Sequence, residues 1–204
     1  MRFVVWLAAL CTLVAAASPQ QRAGQPLGAQ AGGGRGGKTT WFRPQHGETV
    51  LELTIEKRGE VFIDLNTALA PKATERIITL TRQGFFNGQR FFKVMKSPRP
   101  YLVQTGDPQS RTLAMDDPRL GAAGSGTSVP YEDTHLPYSV GSVVLATVNG
   151  NRDSGDSQFY ILLADYSKLL EGTGTVFGRV VVGLETVSKI ELGDRILVAQ
   201  ILSG

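Results

Sequence analysis

From about Thr49 the chain alternates apolar and polar positions: Val50, Leu51, Leu53 and Ile55, then Val61, Ile63 and Leu65, are separated mostly by polar residues. A period of two puts alternate side chains on one face, so this stretch predicts two strands joined near Lys57-Arg58-Gly59. The period then lengthens. Pro71 suits the first turn of a helix, Ala73, Ile77, Ile78 and Leu80 recur at helical spacing, and Gly84 supplies a stop. Further strands are expected over Arg90 to Met95, Tyr101 to Thr105, Ser142 to Thr147, Ser157 to Leu163 and Thr175 to Val182. A second short helix, Leu184 to Leu192, precedes a final strand, Ile196 to Leu202. Many short strands with Gly and Asp turns, and only two helices, favour an antiparallel β-barrel over a doubly wound sheet. No internal repeat is visible.

The first 48 residues follow other patterns. Arg2 precedes an apolar stretch from Phe3 to Ala17 that ends in Ala15-Ala16-Ala17 before Ser18-Pro19. A positive start, an apolar run shorter than the roughly 20 residues a membrane span needs, and small residues at the exit describe a secretory signal peptide over residues 1–17. An uncleaved membrane anchor is the competing reading, and the short run argues against it. A lipid anchor on Cys11 is disfavoured because bulky Leu10 precedes it; after cleavage the chain holds no cysteine and forms no disulfide. Residues 18–40, rich in Gly, Gln and Ala, have too few large apolar side chains to offset their ordering entropy and are expected to be a flexible tether. The folded domain is then 41–204, in an exported, periplasmic or secreted protein with no stable membrane insertion.

Length and charge narrow the function classes. The 204 residues, 42% hydrophobic and 19% charged, suit one globular domain with some tail. The net charge of +3 suggests an anionic partner until it is located. Four of the 21 Lys and Arg (Arg2, Arg22, Arg35, Lys38) precede residue 41 and no Asp or Glu does, which leaves 17 cations against 18 anions in the domain. A nearly neutral domain gives no argument for nucleic acid.

Two motifs match by spelling but lack their context. Gly32-x-x-x-x-Gly37-Lys38-Thr39 fits the phosphate-loop pattern, which needs a strand before it and a helix after it to aim N–H groups at phosphates. Here a Gly-rich tether precedes it and Pro44 follows closely. Asp153-Ser154-Gly155-Asp156-Ser157 is shaped like a hydrolase nucleophile turn, with His46 and His135 as candidate bases, yet both histidines fall in polar segments where they are usually solvated. Two histidines and no mature cysteine also disfavour a transition-metal site, and no cofactor is expected.

Five blocks further along carry a resemblance. Phe91-Phe92-Lys93-Val94 followed by Tyr101-Leu102-Val103-Gln104-Thr105-Gly106-Asp107 resembles the cyclophilin segment in which Phe-His-Arg-Val precedes Phe-Met-x-Gln-Gly-Gly-Asp. Leu145-Ala146-Thr147 and Ser157-Gln158-Phe159-Tyr160-Ile161 are similar to the family's Met-Ala-Asn and Ser-Gln-Phe-Phe-Ile. Leu169-Leu170-Glu171-Gly172 and Val176-Phe177-Gly178-Arg179-Val180 are similar to its Trp-Leu-Asp-Gly and Val-Phe-Gly-Lys-Val. Order and approximate spacing hold from about Gly59 to Ile190, including Ala70-Pro71-Lys72 at the first helix. The resemblance implies a mainly β fold, a closed antiparallel eight-stranded barrel with two capping helices. It also implies peptidyl-prolyl cis-trans isomerase activity assisting protein folding.

That chemistry suits the residues. Rotation about an X-Pro bond needs no cofactor and no covalent step; its barrier of about 20 kcal/mol comes from amide resonance. A catalyst must favour the twisted amide, holding the proline ring in an apolar pocket and aiming donors at its carbonyl and nitrogen. Strand alternation puts Gln158 and Tyr160 on one face and Ser157, Phe159 and Ile161 on the other, which makes Tyr160 a pocket residue and Phe159 a core residue. By resemblance, Tyr101, Leu102 and Leu170 complete the pocket, Gln104 and Gln158 position the peptide, Ala146 and Thr147 offer backbone groups to it, and Lys93 replaces the catalytic arginine. For each residue the plainer alternative is a strand position that packs the core or faces water.

The pattern also departs from the family. An ammonium at Lys93 lacks the rigid fork of a guanidinium, which predicts weak turnover. Phe92 replaces a histidine, Thr147 an asparagine, Gly174 stands near the place of a pocket-rim histidine, and Tyr160 adds a hydroxyl. Leu169, where many cyclophilins carry tryptophan, offers no indole donor to a cyclosporin-type inhibitor, so weak inhibition is expected. The segment between Val94 and Tyr101, with Pro98 and Pro100, is about three residues longer than the family's. The leading reading is a monomeric isomerase acting on proline-containing polypeptides outside the cytoplasm. Two others stay open: a non-catalytic proline-peptide-binding module or holdase, and a tethered structural domain with a vestigial groove.

Overall fold

The computed structural model describes residues 42–204. The expected leader over 1–17 with Cys11, the 18–40 tether and the Gly32 to Thr39 pattern lie outside the described residues.

Among the described residues eight strands, β1 (Thr49–Ile55), β2 (Gly59–Leu65), β3 (Lys93–Met95), β4 (Leu102–Thr105), β5 (Ser142–Leu145), β6 (Phe159–Leu162), β7 (Val176–Val182) and β8 (Ile196–Ser203), form one antiparallel sheet. Their order is β3-β4-β6-β5-β7-β2-β1-β8. The sheet curls as a half-barrel with β3 and β8 as its edges, so the closed ladder implied by the resemblance is not formed. The two ends approach through segments outside the strands: Arg90 and Arg195 form an isolated bridge, and the Phe91 N–H donates to the Asp194 carbonyl at 2.9 Å. This explains why β3 begins at Lys93 rather than Arg90. Phe91 is fully buried, and its backbone pairs with the segment before β8 instead of with β4.

Among the described residues there are three helices rather than two: α1 (Pro71–Arg82), α2 (Ser167–Leu170) and α3 (Leu184–Lys189). Ala73, Ile77 and Leu80 of α1 enter the main core with Leu51, Leu53, Ile55, Val61, Ile63 and Leu65, so the apolar sets of strand and helix predicted by spacing share one interior. The first turn of α1 has no side-chain cap from Ala70. Its orphan N–H groups are satisfied from the far side of the chain, where the Glu132 carboxylate accepts from Lys72 N at 3.0 Å and Ala73 N at 2.9 Å, a charge also suited to the helix dipole. None of the described helices is long and apolar enough to cross a membrane.

Residues 106–141 contain only a 3-10 turn at Pro108–Arg111, and polar side chains hold them. The buried Asp107 carboxylate accepts from Gln109 N at 2.8 Å and Gly121 N at 2.6 Å. Arg90 donates to the carbonyls of Ser110 and Leu113, and Arg111 to those of Phe85 and Asn87. Arg76 of α1 pairs with Asp156 at 3.3 Å, and Asp156 accepts from Gly126 N at 2.8 Å. Sequence separation hides this network: no local period announces it.

Candidate functional site

The outer face of β3, β4, β6, β5 and β7 carries four of the predicted residues, Lys93, Leu102, Gln104 and Tyr160, in register. Lys93 pairs with Gln104, Gln104 with Tyr160, Tyr160 with Val144, and Val144 with Val176. Directly paired residues lie about 5 Å apart between Cα atoms, so Lys93, Gln104 and Tyr160 span roughly 10 Å along one row. Beside it runs a second row of Met95, Leu102 and Leu162. Phe159 and Ile161 face the main core, where Phe159 meets Phe86 and Phe177 edge to face. The alternation expected over Ser157 to Ile161 is therefore present.

These rows floor a second, smaller apolar cluster. Leu102, Tyr138, Val144, Leu162 and Val176 are buried in it, and Tyr101, Leu136, Tyr160, Tyr166 and Leu170 pack against them. All four residues expected to form the pocket, Tyr101, Leu102, Tyr160 and Leu170, meet here. Leu170 arrives on α2, a four-residue helix too short for periodicity to reveal, and the Tyr101 and Tyr166 rings approach to 4.5 Å. Burial pushes the Tyr160 phenol well above its ordinary pKa, with Tyr138 and Tyr101 adding to the effect, so the hydroxyl stays neutral through the physiological range. Sequence reading missed Val144, Val176 and Tyr138; the apolar face of β5 and β7 was the available signal for the two valines.

The polar side is built around Gln158. Its amide donates to the carbonyls of Gly121 at 2.9 Å and Ala123 at 2.7 Å, and its oxygen accepts from Gln104 Nε2 at 2.9 Å. Gln158 thus aligns Gln104 and ties the 121–123 segment to the start of β6. Phe92 approaches the same segment: a Cβ on Gly121 would lie 3.2 Å from its ring. Lys93 is exposed on the edge strand, and among the described residues nothing pairs with its ammonium.

Past Leu145 the chain leaves the ladder. Ala146 N donates to the Gln158 carbonyl at 2.8 Å, so Ala146 can offer a ligand its carbonyl rather than its N–H. Thr147 Oγ1 donates to the Thr173 carbonyl at 3.3 Å. At Gly174 a side chain is excluded, because a Cβ would sit 2.7 Å from the Leu145 carbonyl; the Tyr138 hydroxyl donates to the Gly174 carbonyl instead. A cleft of about 320 Å³ beside the cluster is lined by Tyr131, Leu136, Tyr138, Arg152, Ser167 and Glu171 among others, none of them a predicted site residue. The hydrolase arrangement is not assembled. Ser157 is buried and donates to the Gly106 carbonyl at 2.8 Å, while His46 and His135 are exposed and neither hydrogen-bonds to Ser154 or Ser157 among the described residues.

Comparisons with known proteins identify the family. Residues 50–200 match the family described as cyclophilin type peptidyl-prolyl cis-trans isomerase/CLD. A Brucella suis protein named a probable peptidyl-prolyl cis-trans isomerase is 36% identical over 141 residues, 68% of this chain and 69% of that protein. A Helicobacter pylori peptidyl-prolyl cis-trans isomerase is 32% identical over 141 residues, 67% of this chain and 77% of that protein. In structure the chain is similar to a cyclophilin-type peptidyl-prolyl cis-trans isomerase of Cryptosporidium parvum, with a TM-score of 0.65, 21% identity, and coverage of 77% of this chain and 99% of that one. The family match runs from the first strand into the last, through every strand that carries a site residue, and with the relatives' identity it shows that the chain belongs to the cyclophilin-type peptidyl-prolyl cis-trans isomerases.

Proposed function

We propose that an extended proline-containing peptide lies along the outer face of β4 and β6, its proline ring held by Tyr101, Leu102, Tyr160 and Leu170, while Lys93 and Gln104 act on the amide being rotated. The observation that carries this reading is the register row: an exposed cation, an amide already aligned by Gln158, and the edge of an apolar cluster in succession across three strands. In the twisted state the amide nitrogen becomes pyramidal and its lone pair, no longer shared with the carbonyl, localises on it. A donor aimed at that nitrogen favours the twisted state over either planar isomer, and the apolar floor strengthens the interaction by displacing water. No proton is transferred and no bond is broken. A second structure of the Cryptosporidium protein was determined in the presence of the dipeptide Ala-Pro, which supports proline peptides as ligands of such a groove.

Several parts of the reading rest on sequence. The apolar run from Phe3 to Ala17 supports export, and a monomer acting on polypeptides outside the cytoplasm is the corresponding picture. NMR exchange spectroscopy on a short Ala-Pro peptide, with catalytic amounts of the full chain, tests the catalytic part. Faster exchange that is lost in Lys93→Ala supports it; peptide shift changes without faster exchange leave a binding module or holdase instead. Fractionation of cells expressing the chain tests export: an uncleaved protein in the cytoplasm overturns it.

A further inference from the structure

The β3–β4 hairpin carries more charge than rotation of an X-Pro bond needs. Lys93, Lys96 and Arg99 fall within it, and no Asp or Glu occurs anywhere between Phe91 and Thr105. The Tyr101 N–H closes the turn by donating to the Met95 carbonyl at 2.9 Å, leaving residues 96–100 as its tip. That tip is docked at the groove, because Tyr166 Oη donates to the Pro100 carbonyl at 2.9 Å and the Tyr166 ring packs on Tyr101, both rings belonging to the cluster around Leu102 and Tyr160. Arg99 is exposed and Lys96 half-buried, and among the described residues neither makes an ion pair. The nearest stretch of α2 adds exposed Lys168, while the neighbouring Asp165 carboxylate accepts the Ser167 N–H at 2.9 Å.

We infer that this hairpin is a specificity rim that selects peptides carrying an acidic residue within two positions of the isomerised proline, with Lys96 and Arg99 as its determinants. The inference rests on the groove assignment above. A domain of nearly balanced charge has concentrated unpaired cations on one side of its groove, and a local field of one sign raises the local concentration of oppositely charged ligands. A carboxylate about 7 Å from one rim cation in water gains roughly threefold in affinity, and one within reach of two gains up to about tenfold. The gain disappears at about 0.5 M salt, where the screening length is shorter than that distance.

The test compares Glu-Ala-Pro-Phe and Ala-Ala-Pro-Glu with their Gln counterparts on the full chain, reading affinity from peptide shift titration and turnover from exchange spectroscopy. Threefold to tenfold tighter binding of at least one acidic peptide at 20 mM salt is expected. The preference should collapse at 0.5 M and in Lys96→Gln/Arg99→Gln, with exchange of the neutral peptides unchanged. Equal affinities for acidic and neutral peptides, or a preference that survives the double substitution, overturn the rim. Absence of faster exchange for every peptide overturns the catalytic reading alone, since an acidic preference in binding would still establish the rim.

Discussion

Gln158 offers a direct test of how the groove is held together. In Gln158→Leu the side chain keeps nearly its volume but loses two donated hydrogen bonds and one accepted from Gln104. At about 1 kcal/mol each these sum to about 3 kcal/mol, and roughly 1 kcal/mol returns through added apolar burial. A net loss of about 2 kcal/mol should lower Tm by about 4–8 °C. Gln158→Glu isolates the direction of the bonds, because an ionised carboxylate would face two carbonyl oxygens where an amide now donates. That carboxyl should titrate above the usual 4.3 or so. A folded-state pKa raised above the unfolded value gives stability that is present at low pH and lost as pH rises through the folded value. The Glu variant should therefore approach wild type near pH 4.5 and fall furthest behind above pH 7, while the Leu variant keeps a constant deficit. Urea titrations of the full chain followed by far-UV circular dichroism measure both. A midpoint in Gln158→Leu within about 0.5 kcal/mol of wild type at equal slope, or no pH dependence in Gln158→Glu, would refute the assignment of these three bonds as the groove's fastening.

Three other outcomes follow from the same geometry. Lys93→Ala should reduce kcat/KM on an Ala-Pro peptide at least about tenfold, the loss expected of the donor proposed to act on the rotating amide, whereas Lys93→Arg should raise it; an unchanged rate in both removes Lys93 from the reaction. Restoring a histidine with Gly174→His should destabilise the fold by more than about 1 kcal/mol without improving turnover, because its Cβ would press on the Leu145 carbonyl; a stable and faster variant in the urea and exchange assays would contradict this. Leu169 is 68% exposed, so Leu169→Trp should fold normally and tighten binding of a cyclosporin-type cyclic peptide by calorimetric titration, while tight binding by the unaltered chain would show that an indole donor is not needed.

Much of the fold was legible because local periods carried it. Alternation from Val50 to Leu65 found β1 and β2, helical spacing after Pro71 found α1, and the same parity separated Tyr160 from Phe159. The period failed where tertiary contacts decided the outcome. Phe91 and Phe92 looked like strand, yet Phe91 pairs with Asp194 across the gap between the sheet's edges. α2 has only four residues, less than one would need to see a repeat. At the site, the family resemblance marked Gln104 and Gln158, but nothing local tells that one holds the other or that Gln158 grips Gly121 and Ala123. Gly174 shows a different limit: its identity was visible in the sequence, but the carbonyl that forbids a side chain there belongs to another strand.

The groove is bounded by two materials. Its floor is close-packed hydrocarbon continuous with the sheet, whereas the wall over residues 106–128 hangs from Asp107, Arg90, Arg111, Asp156 and Gln158. Such a wall is a candidate foldon: it can open with a free energy below that of global unfolding, because few apolar contacts are lost when it does. In hydrogen exchange, amides of residues 112–128 should be replaced through this sub-global opening while those of Val143 and Ile161 wait for the whole sheet. A long or folded client could then be admitted from the side by a hinged wall, and the apolar floor would keep its shape throughout.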